Sequence, residues 1–250
     1  MLVFDIETGP RSDTYLATVF TPPDPPEHPG KFDQGTVALG NLVDPDKIQA
    51  RIDLARGKHQ AKIDNHPNEC TRLAIEAWEE FRGTAALDAG TGEVLAIGYF
   101  NPKVPPPKIH HVGDMSETDM LEQFWIKAEK KRESGDPMVG LNIHDFDLPF
   151  LIRRSWILGV NVPDWLLYQN RFFDRIFVDL RKIWLCGQWG KGARSNFDHL
   201  GKAFGTGGKQ DGIDGSMFAD MFENDREAAI NYLENDLKQP AKWALKMGVT

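Results

Sequence analysis

The first ten residues constrain the fold of this chain more than any other stretch. Residues 2–6 are rich in strand formers, and the dipeptide Gly9-Pro10 ends the run. Because side chains alternate between the two faces of a strand, Asp5 and Glu7 are expected to project from the same face. Two adjacent carboxylates repel each other unless a cation lies between them, and oxygen ligands suit Mg²⁺ or Mn²⁺. The pair alone also fits a strand end that runs into solvent, so the two interpretations stay open at this point.

Composition limits the class of protein. The chain has 250 residues, 41% of them hydrophobic, which is enough for one substantial core with an appended subdomain. Its formal net charge of −8 argues against a protein that coats nucleic acid by charge, but not against an enzyme with a local basic groove. The two cysteines, Cys70 and Cys186, lie far apart and predict neither a disulfide framework nor a zinc site.

Hydropathy and the position of the first strand give an expectation for location. No apolar run approaches the roughly 20 residues that span a bilayer, so no membrane association is expected. The first strand begins at Leu2, which leaves no room for a signal peptide. We therefore expect a soluble protein of the cytoplasm.

A long insertion is predicted after the first strand, over about residues 10–92. Six prolines fall between residues 10 and 29, and such a segment forms neither a central strand nor a helix. A helix is predicted to begin at Pro45 and a second to cover Glu69 to Phe81. The basic residues of these helices either face a substrate or form an ordinary solvated surface.

The rest of the chain alternates between strands and helices, which predicts an α/β fold. We expect strands over 93–100, 108–112, 137–142 and 177–180, and helices that begin at Ser116, near Asp147, at Ser195 and at Asp225. The last helix is expected to run to Met247 and to be kinked or broken at Pro240.

Further candidate site residues lie after a predicted strand and on the last predicted helix. Asp147 follows a predicted strand at the start of a helix, where a backbone turn can direct it toward a shared site. Tyr232 and Asp236 are four residues apart and therefore share one face of the last helix. The segment from Asn142 to Asp147 has the form Asn-x-x-x-Phe-Asp.

Together these motifs resemble those of the DEDD superfamily of 3′–5′ exonucleases. Phe4 to Thr8 is similar to its first motif, Asn142 to Asp147 to its second, and Tyr232-x-x-x-Asp236 to its third. The tyrosine is typical of the DEDDy branch, whereas the DEDDh branch would have a histidine at Asn231. Residues 197–204 and 207–216 are similar to predicted exonucleases related to the proofreading domain of family B DNA polymerases.

The resemblance implies a fold and a single domain. It covers roughly residues 1–9 and 93–247, and implies a ribonuclease H-like mixed β-sheet flanked by α-helices. Residues 1–250 would then form one 3′–5′ exonuclease domain, with the helical and proline-rich insertion after the first strand.

The chemistry of phosphodiester hydrolysis explains why such enzymes gather carboxylates. Two divalent ions about 3.5–4 Å apart activate the water and stabilise the leaving oxygen, and Mg²⁺ or Mn²⁺ is expected. Asp5 is the natural bridging ligand, with Glu7, Asp147 and Asp236 completing the metal-binding set. The resemblance implies that Tyr232 orients or deprotonates the attacking water.

Five residues are candidates for contacts with the substrate: Thr8, Asn142, Phe146, Arg153 and Lys209. Asn142 either touches the substrate backbone or caps a strand, and Phe146 packs beneath the site or against a base. The basic side chains either meet phosphates or are simply solvated.

The predicted activity is metal-dependent removal of nucleotides from a free 3′ end, with single-stranded DNA favoured and RNA left open. A polymerase or repair partner acting in trans is a further candidate, for proofreading, repair or degradation. The first alternative is a non-catalytic nucleic-acid-binding or polymerase-accessory module that keeps the fold. The second is an interaction protein that docks a partner through the insertion.

Overall fold

A computed structural model describes residues 1–168, 176–188, 194–208 and 215–249. The chain divides into two compact units. One comprises Met1–Ser12 and Thr84–Thr250, and the other comprises Asp13–Gly83. The second unit therefore falls within the region predicted to be an insertion.

The larger unit is built on a five-stranded mixed sheet in the order β3-β2-β1-β4-β5. The strands are β1 (Leu2–Pro10), β2 (Gly92–Phe100), β3 (Lys108–His111), β4 (Met138–Gly140) and β5 (Phe177–Asp179). The central strand β1 pairs antiparallel with β2 and parallel with β4, while β3 runs antiparallel to β2 and β5 parallel to β4. This arrangement confirms the predicted α/β class and is consistent with a ribonuclease H-like fold.

Helices cover both faces of the sheet. Those of the larger unit are α3 (Glu117–Ser134), α4 (Asp147–Leu158), α5 (Asp164–Tyr168), α6 (Leu180–Leu185), α7 (Phe197–Phe204), α8 (Phe218–Asn224) and α9 (Arg226–Lys246). The predicted cap of α3 is present: the Asp119 N–H donates to Ser116 Oγ, and the Ser116 N–H donates back to the Asp119 carboxylate.

The sheet separates two apolar clusters, and β1 contributes to both. Phe4 and Ile6 pack into the cluster formed with α3 and α4. Val3 points the other way, into the cluster formed with α8 and α9, which includes Leu237. The alternation predicted for β1 is therefore realised, and it assigns Asp5 to the face covered by α9.

The second unit consists of α1 (Asp13–Val19), a 3₁₀ turn at Gln34–Thr36 and α2 (Pro45–Thr84). The prediction of two separate helices here was wrong, because α2 is continuous over 40 residues and contains Pro67. A proline inside a helix removes one backbone hydrogen bond, and the neighbouring Asn65 and Asn68 are weak helix formers, yet the helix continues through it. Phe20 packs against Trp78 and Phe81 of this helix.

The last helix is likewise unbroken. α9 continues through Pro240, which is buried, so the expected break at this residue does not occur. Among the described residues, no helix combines the length and the apolar character needed to cross a membrane.

Candidate active site

The first two acids of the site project from the central strand. Asp5 and Glu7 lie on the same face of β1 as Val3, and β2 residues Gly98 and Ala96 are their partners in the antiparallel ladder. Asp5 is half-buried and Glu7 is buried. A register shift between Glu7 and the next residue marks a bulge at this point, a feature that re-aims side chains near functional sites.

A close approach of α9 brings the other end of the chain to this face. A Cβ atom at Gly98 would lie 2.6 Å from Leu237 Cδ1 and 3.1 Å from Leu233 Cγ. Glycine at this position, directly opposite Asp5, therefore lets α9 pack tightly on the sheet. Asp236 precedes Leu237 on the same helix and is buried.

The convergence of these elements produces a cluster of carboxylates. Asp5, Glu7 and Asp236 each offer one oxygen atom, and these atoms all lie within 4.8 Å of one another. A donor set made only of carboxylate oxygens is the chemistry that hard divalent cations such as Mg²⁺ and Mn²⁺ prefer. The residues present therefore fit a divalent metal site.

Asp147, at the start of α4, lies beside this three-residue cluster and hydrogen-bonds with the Asp5 side chain. Its Oδ1 atom accepts a hydrogen bond of 3.3 Å from the Ile6 N–H, on the strand between Asp5 and Glu7. Burial raises the pKa of Asp147 to about 7, although hydrogen bonds from its own backbone N–H, from the Ile6 N–H and with the Asp5 side chain lower it. The raised pKa means that the carboxylate form lacks compensating positive charge, which a bound cation would supply.

Tyr232 lies on α9 one turn before Asp236 and is almost completely buried, with 1% of its surface exposed. Burial raises the pKa of its phenol well above the ordinary value, and the charges of Asp236, Glu7 and Asp5 raise it further. The phenol thus lies in the electrostatic field of all three clustered acids.

A small cavity of about 150 Å³ opens onto the cluster. Asp5 and Asp236 line it together with Phe197 and Pro240. Because proline has no N–H, α9 lacks the hydrogen bond from residue 240 to the Asp236 carbonyl. The residue predicted to interrupt the helix thus forms part of the wall beside the acid cluster.

A larger cavity of about 720 Å³ shares the side chains of Leu141 and Phe197 with the small one. Its described lining includes the cations Arg181 and Arg194 and contains no carboxylate. Its polar groups also include Asn142. Such a lining favours an anionic group.

Arg181 links several segments of this wall, and sequence reasoning missed it. Its guanidinium donates to Asn142 Oδ1 at 2.5 Å, to Ser195 Oγ at 3.0 Å and to the Asp145 carboxylate at 3.3 Å. Its backbone N–H donates to Asp179. The available signal was the N-cap pattern of an Asp directly after a strand, which places Arg181 in the first turn of α6.

Asp179 itself organises the second motif. Its carboxylate accepts hydrogen bonds from the backbone N–H groups of Asn142 and His144, at 2.9 and 3.1 Å. Asn142 has a positive φ of 65°, a conformation that asparagine tolerates better than most residues. The turn that leads to Asp147 is therefore fixed by a buried acid on β5.

The residues predicted to contact the substrate lie in different surroundings. The Thr8 hydroxyl donates to the Ala86 carbonyl at 2.8 Å, Phe146 packs against Phe150, and Arg153 is exposed on α4. Asn142 lines the larger cavity, where Arg181 holds its side chain. Lys209 lies outside the described residues.

Comparison with known proteins identifies a family. Residues 103–239, more than half of the chain, match the model of a family of predicted 3′–5′ exonucleases related to the exonuclease domain of PolB. The matched segment contains Asp147, Tyr232 and Asp236, while Asp5 and Glu7 lie before it. A comparison with curated proteins finds no match.

Proposed function

This chain belongs to the family of predicted 3′–5′ exonucleases related to the exonuclease domain of PolB, and we propose that it is a metal-dependent enzyme of the DEDDy type. Its proposed substrate is single-stranded DNA with a free 3′ end, and its product is a mononucleotide. The proposed location is the cytoplasm, with a polymerase or repair partner acting in trans as a further candidate.

One observation carries the proposal: acids from opposite ends of the chain meet at one point. Asp5 and Glu7 precede the segment that matches the family, and Asp236 lies near its end. Their ligand atoms nevertheless lie within 4.8 Å of one another. Folding such a group of like charges together costs free energy unless the site binds cations.

We assign the metal-binding role to Asp5, Glu7, Asp147 and Asp236, which would hold two Mg²⁺ or Mn²⁺ ions. When bound, these ions would activate the attacking water and stabilise the charge on the leaving oxygen. Asp5 would be the central ligand of this set, since it is near Glu7 and Asp236 and also hydrogen-bonds with Asp147.

Tyr232 is assigned to the attacking water, which it would orient; to deprotonate that water it would have to be a phenolate, which its raised pKa disfavours until bound cations offset the nearby acids. The phenol lies in the field of Asp5, Glu7 and Asp236, so its hydroxyl is close to the atoms that would hold the metal. Its burial fixes the ring, so the hydroxyl position is set before substrate binds.

The larger cavity is the proposed subsite for the end of the strand. Arg181 and Arg194 supply positive charge for phosphates, and Phe197, which lines both cavities, offers an aromatic face to a terminal base. Asn142 is held by Arg181, so its proposed contact with the substrate depends on that pair.

The direct test uses 5′-end-labelled single-stranded DNA and RNA with Mg²⁺, Mn²⁺ or EDTA. We expect a ladder of products shortened from the 3′ end, only with a divalent ion, and faster on DNA. A non-hydrolysable linkage at the 3′ terminus should block the reaction. Cleavage in EDTA, or release of the label from the 5′ end, would refute the proposal.

Matched variants on α9 separate chemistry from folding. Asp236→Asn should abolish cleavage, whereas Glu234→Gln, on the same helix and paired with Lys238 at 2.9 Å, should leave it unchanged. Tyr232→Phe should retain metal binding but lose roughly 10²–10⁴-fold in rate, the range for a positioned acid–base group. Tight binding of DNA by the wild-type protein without turnover would instead favour a non-catalytic binding module.

A further inference from the structure

The unit Asp13–Gly83 contains a groove of about 830 Å³ between residues 29–38 and the helix α2. Four cationic side chains line it and are called the groove cations: Lys31, Arg51, Lys58 and Lys62. All four are exposed. The unit as a whole is acidic, with twelve Asp and Glu residues against eight Lys and Arg residues, so a basic groove does not follow from its composition.

Charge is segregated around the part of α2 that lines the groove. At 3.6 residues per turn, Arg51, Lys58 and Lys62 fall within an arc of about 40°. Asp53 and Asp64 of the same helix fall on the opposite side, about 140–160° from the middle of that arc by the same geometry. Over residues 51–64 the helix therefore presents positive charge to the groove and these two carboxylates away from it.

The groove cations differ from the other cations of the unit in having no acidic partner. The remaining four each pair with a carboxylate at N–O distances between 2.7 and 3.6 Å: Lys47, Arg56, Arg72 and Arg82. Within the ranges that the structure describes, none of the groove cations forms an ion pair. The single carboxylate among the described lining residues, Asp33, accepts from the Gly35 N–H at 2.8 Å.

Apolar and aromatic surface accompanies the charge. Leu54 lines the groove with 61% of its surface exposed. Phe32 lines it half-buried, 5.5 Å from the ring of His59 and 5.6 Å from the Arg56 guanidinium. Cations that neutralise a backbone, next to an aromatic ring on which bases stack, are typical of sites for single-stranded nucleic acid.

The dimensions fit a strand better than a single phosphate. Arg51 and Lys62 are separated by eleven residues, about 16 Å along the helix axis. That length corresponds to about five nucleotides if the strand keeps the stacked spacing of duplex DNA, roughly 3.4 Å each, and to fewer if the strand is extended. A lipid surface would engage a flat face, whereas these side chains line a concave groove.

We propose that this groove binds the sugar–phosphate backbone of single-stranded nucleic acid, as a binding site additional to the carboxylate cluster. The choice of nucleic acid as the ligand rests on the proposed function. The groove cations contact phosphates, while Phe32 and Leu54 contact bases. The segment from 13 to 83 lies outside the residues that match the exonuclease family, so this site would be a property of the insertion.

The test measures equilibrium binding of fluorescent single-stranded DNA to the full chain in EDTA over a range of salt concentrations. The variant R51Q/K58Q/K62Q removes three groove cations. The matched control K47Q/R72Q/R82Q removes the same charge from the same helix outside the groove. Each phosphate contact contributes about 0.7 to the slope of log K against log salt for single strands. The groove variant should therefore lose about 2 from the slope and bind roughly a hundredfold more weakly at about 0.1 M salt.

A further variant and a second ligand distinguish loss of binding from misfolding and nucleic acid from other anionic ligands. The charge-retaining variant R51K/K58R/K62R should bind like the wild type, which excludes misfolding as the cause of a loss. Equal affinity and slope for the groove variant and its control would overturn the proposal. Binding of polyglutamate as tight as that of DNA, with the same loss in the groove variant, would assign the groove to acidic polypeptides instead. Because EDTA prevents metal-dependent cleavage, failure of the exonuclease assay would leave this binding result intact.

Discussion

Gly140→Ala tests whether close packing of β1 and β4 sets the geometry of the acid cluster. Gly140 ends β4, and a Cβ atom there would overlap Ile143 Cγ2 and lie 2.8 Å from the Phe4 carbonyl oxygen. Ordinary contacts begin at 3.4 Å, so one strand must move by about 0.6 Å. The Phe4 carbonyl belongs to the peptide that leads into Asp5, so the shift reaches the metal-binding face.

The expected size of the effect follows from that overlap. Forcing one extra methyl group into a packed site costs about 1–3 kcal/mol, which lowers Tm by roughly 2–12 °C for a protein of this size. A misplacement of about 1 Å costs up to roughly 10²-fold in rate. We therefore expect a loss of roughly ten- to hundredfold in kcat, with the fold retained.

The assay compares Tm, by scanning calorimetry, with kcat on end-labelled single-stranded DNA. Gly57→Ala on α2 is the control, because a Cβ atom there would have no neighbour within 4 Å. Alanine at this helical position should raise the free energy of unfolding by about 0.5–1 kcal/mol and leave kcat unchanged. If Gly140→Ala has the same Tm and kcat as the wild type, the inference that contact between these strands positions the acids is refuted.

Three further predictions concern metal, substrate and pH. Mg²⁺ or Mn²⁺ at a hundredfold excess over Kd should raise the free energy of unfolding of the wild type by about 2.7 kcal/mol, and its Tm should rise accordingly. Calorimetry should show no such rise in Tm for Asp236→Asn. Arg181→Gln frees Asn142 and removes a cavity cation, so it should raise KM for DNA more than it lowers kcat in steady-state assays. Burial, followed by the charges of two nearby lysines, lowers the pKa of His110 below its ordinary value. Below about pH 6.5 the unfolded chain then binds more protons than the folded chain, so the free energy of unfolding should decrease as the pH is lowered. The variant His110→Phe should flatten this pH dependence in urea denaturation.

Local patterns were sufficient to predict the parts of the site that lie on regular elements. The alternation of β1 correctly placed Asp5 opposite to Phe4, because a strand has a fixed period of two. The four-residue spacing placed Tyr232 and Asp236 on the same face of α9, and both are buried. These are consequences of backbone geometry, which a sequence encodes within a few residues.

Long-range packing explains what sequence reasoning missed. Pro240 was expected to kink or break α9, yet no break occurs: the helix continues through the proline, which is buried. The bonds from Arg181 to Asn142 and Ser195 join residues 39 and 14 positions apart, which no local pattern predicts. The continuity of α2 through Pro67 also has no local signal, because the neighbouring Asn65 and Asn68 are weak helix formers.

The buried carboxylates give the most general argument for a cation site. Among the described residues, the buried acids are Glu7, Asp147, Asp179 and Asp236. Burying an acid is costly unless its charge is compensated. For Asp179 the compensation is visible, since three backbone N–H groups donate to its carboxylate. The other three converge with Asp5, and the pKa of Asp147 is raised to about 7 in spite of its hydrogen bonds. A fold that gathers like charges in its interior departs from the ordinary rule, and such departures are expected where function requires them. Divalent cations are the compensation that this set of oxygens can accept.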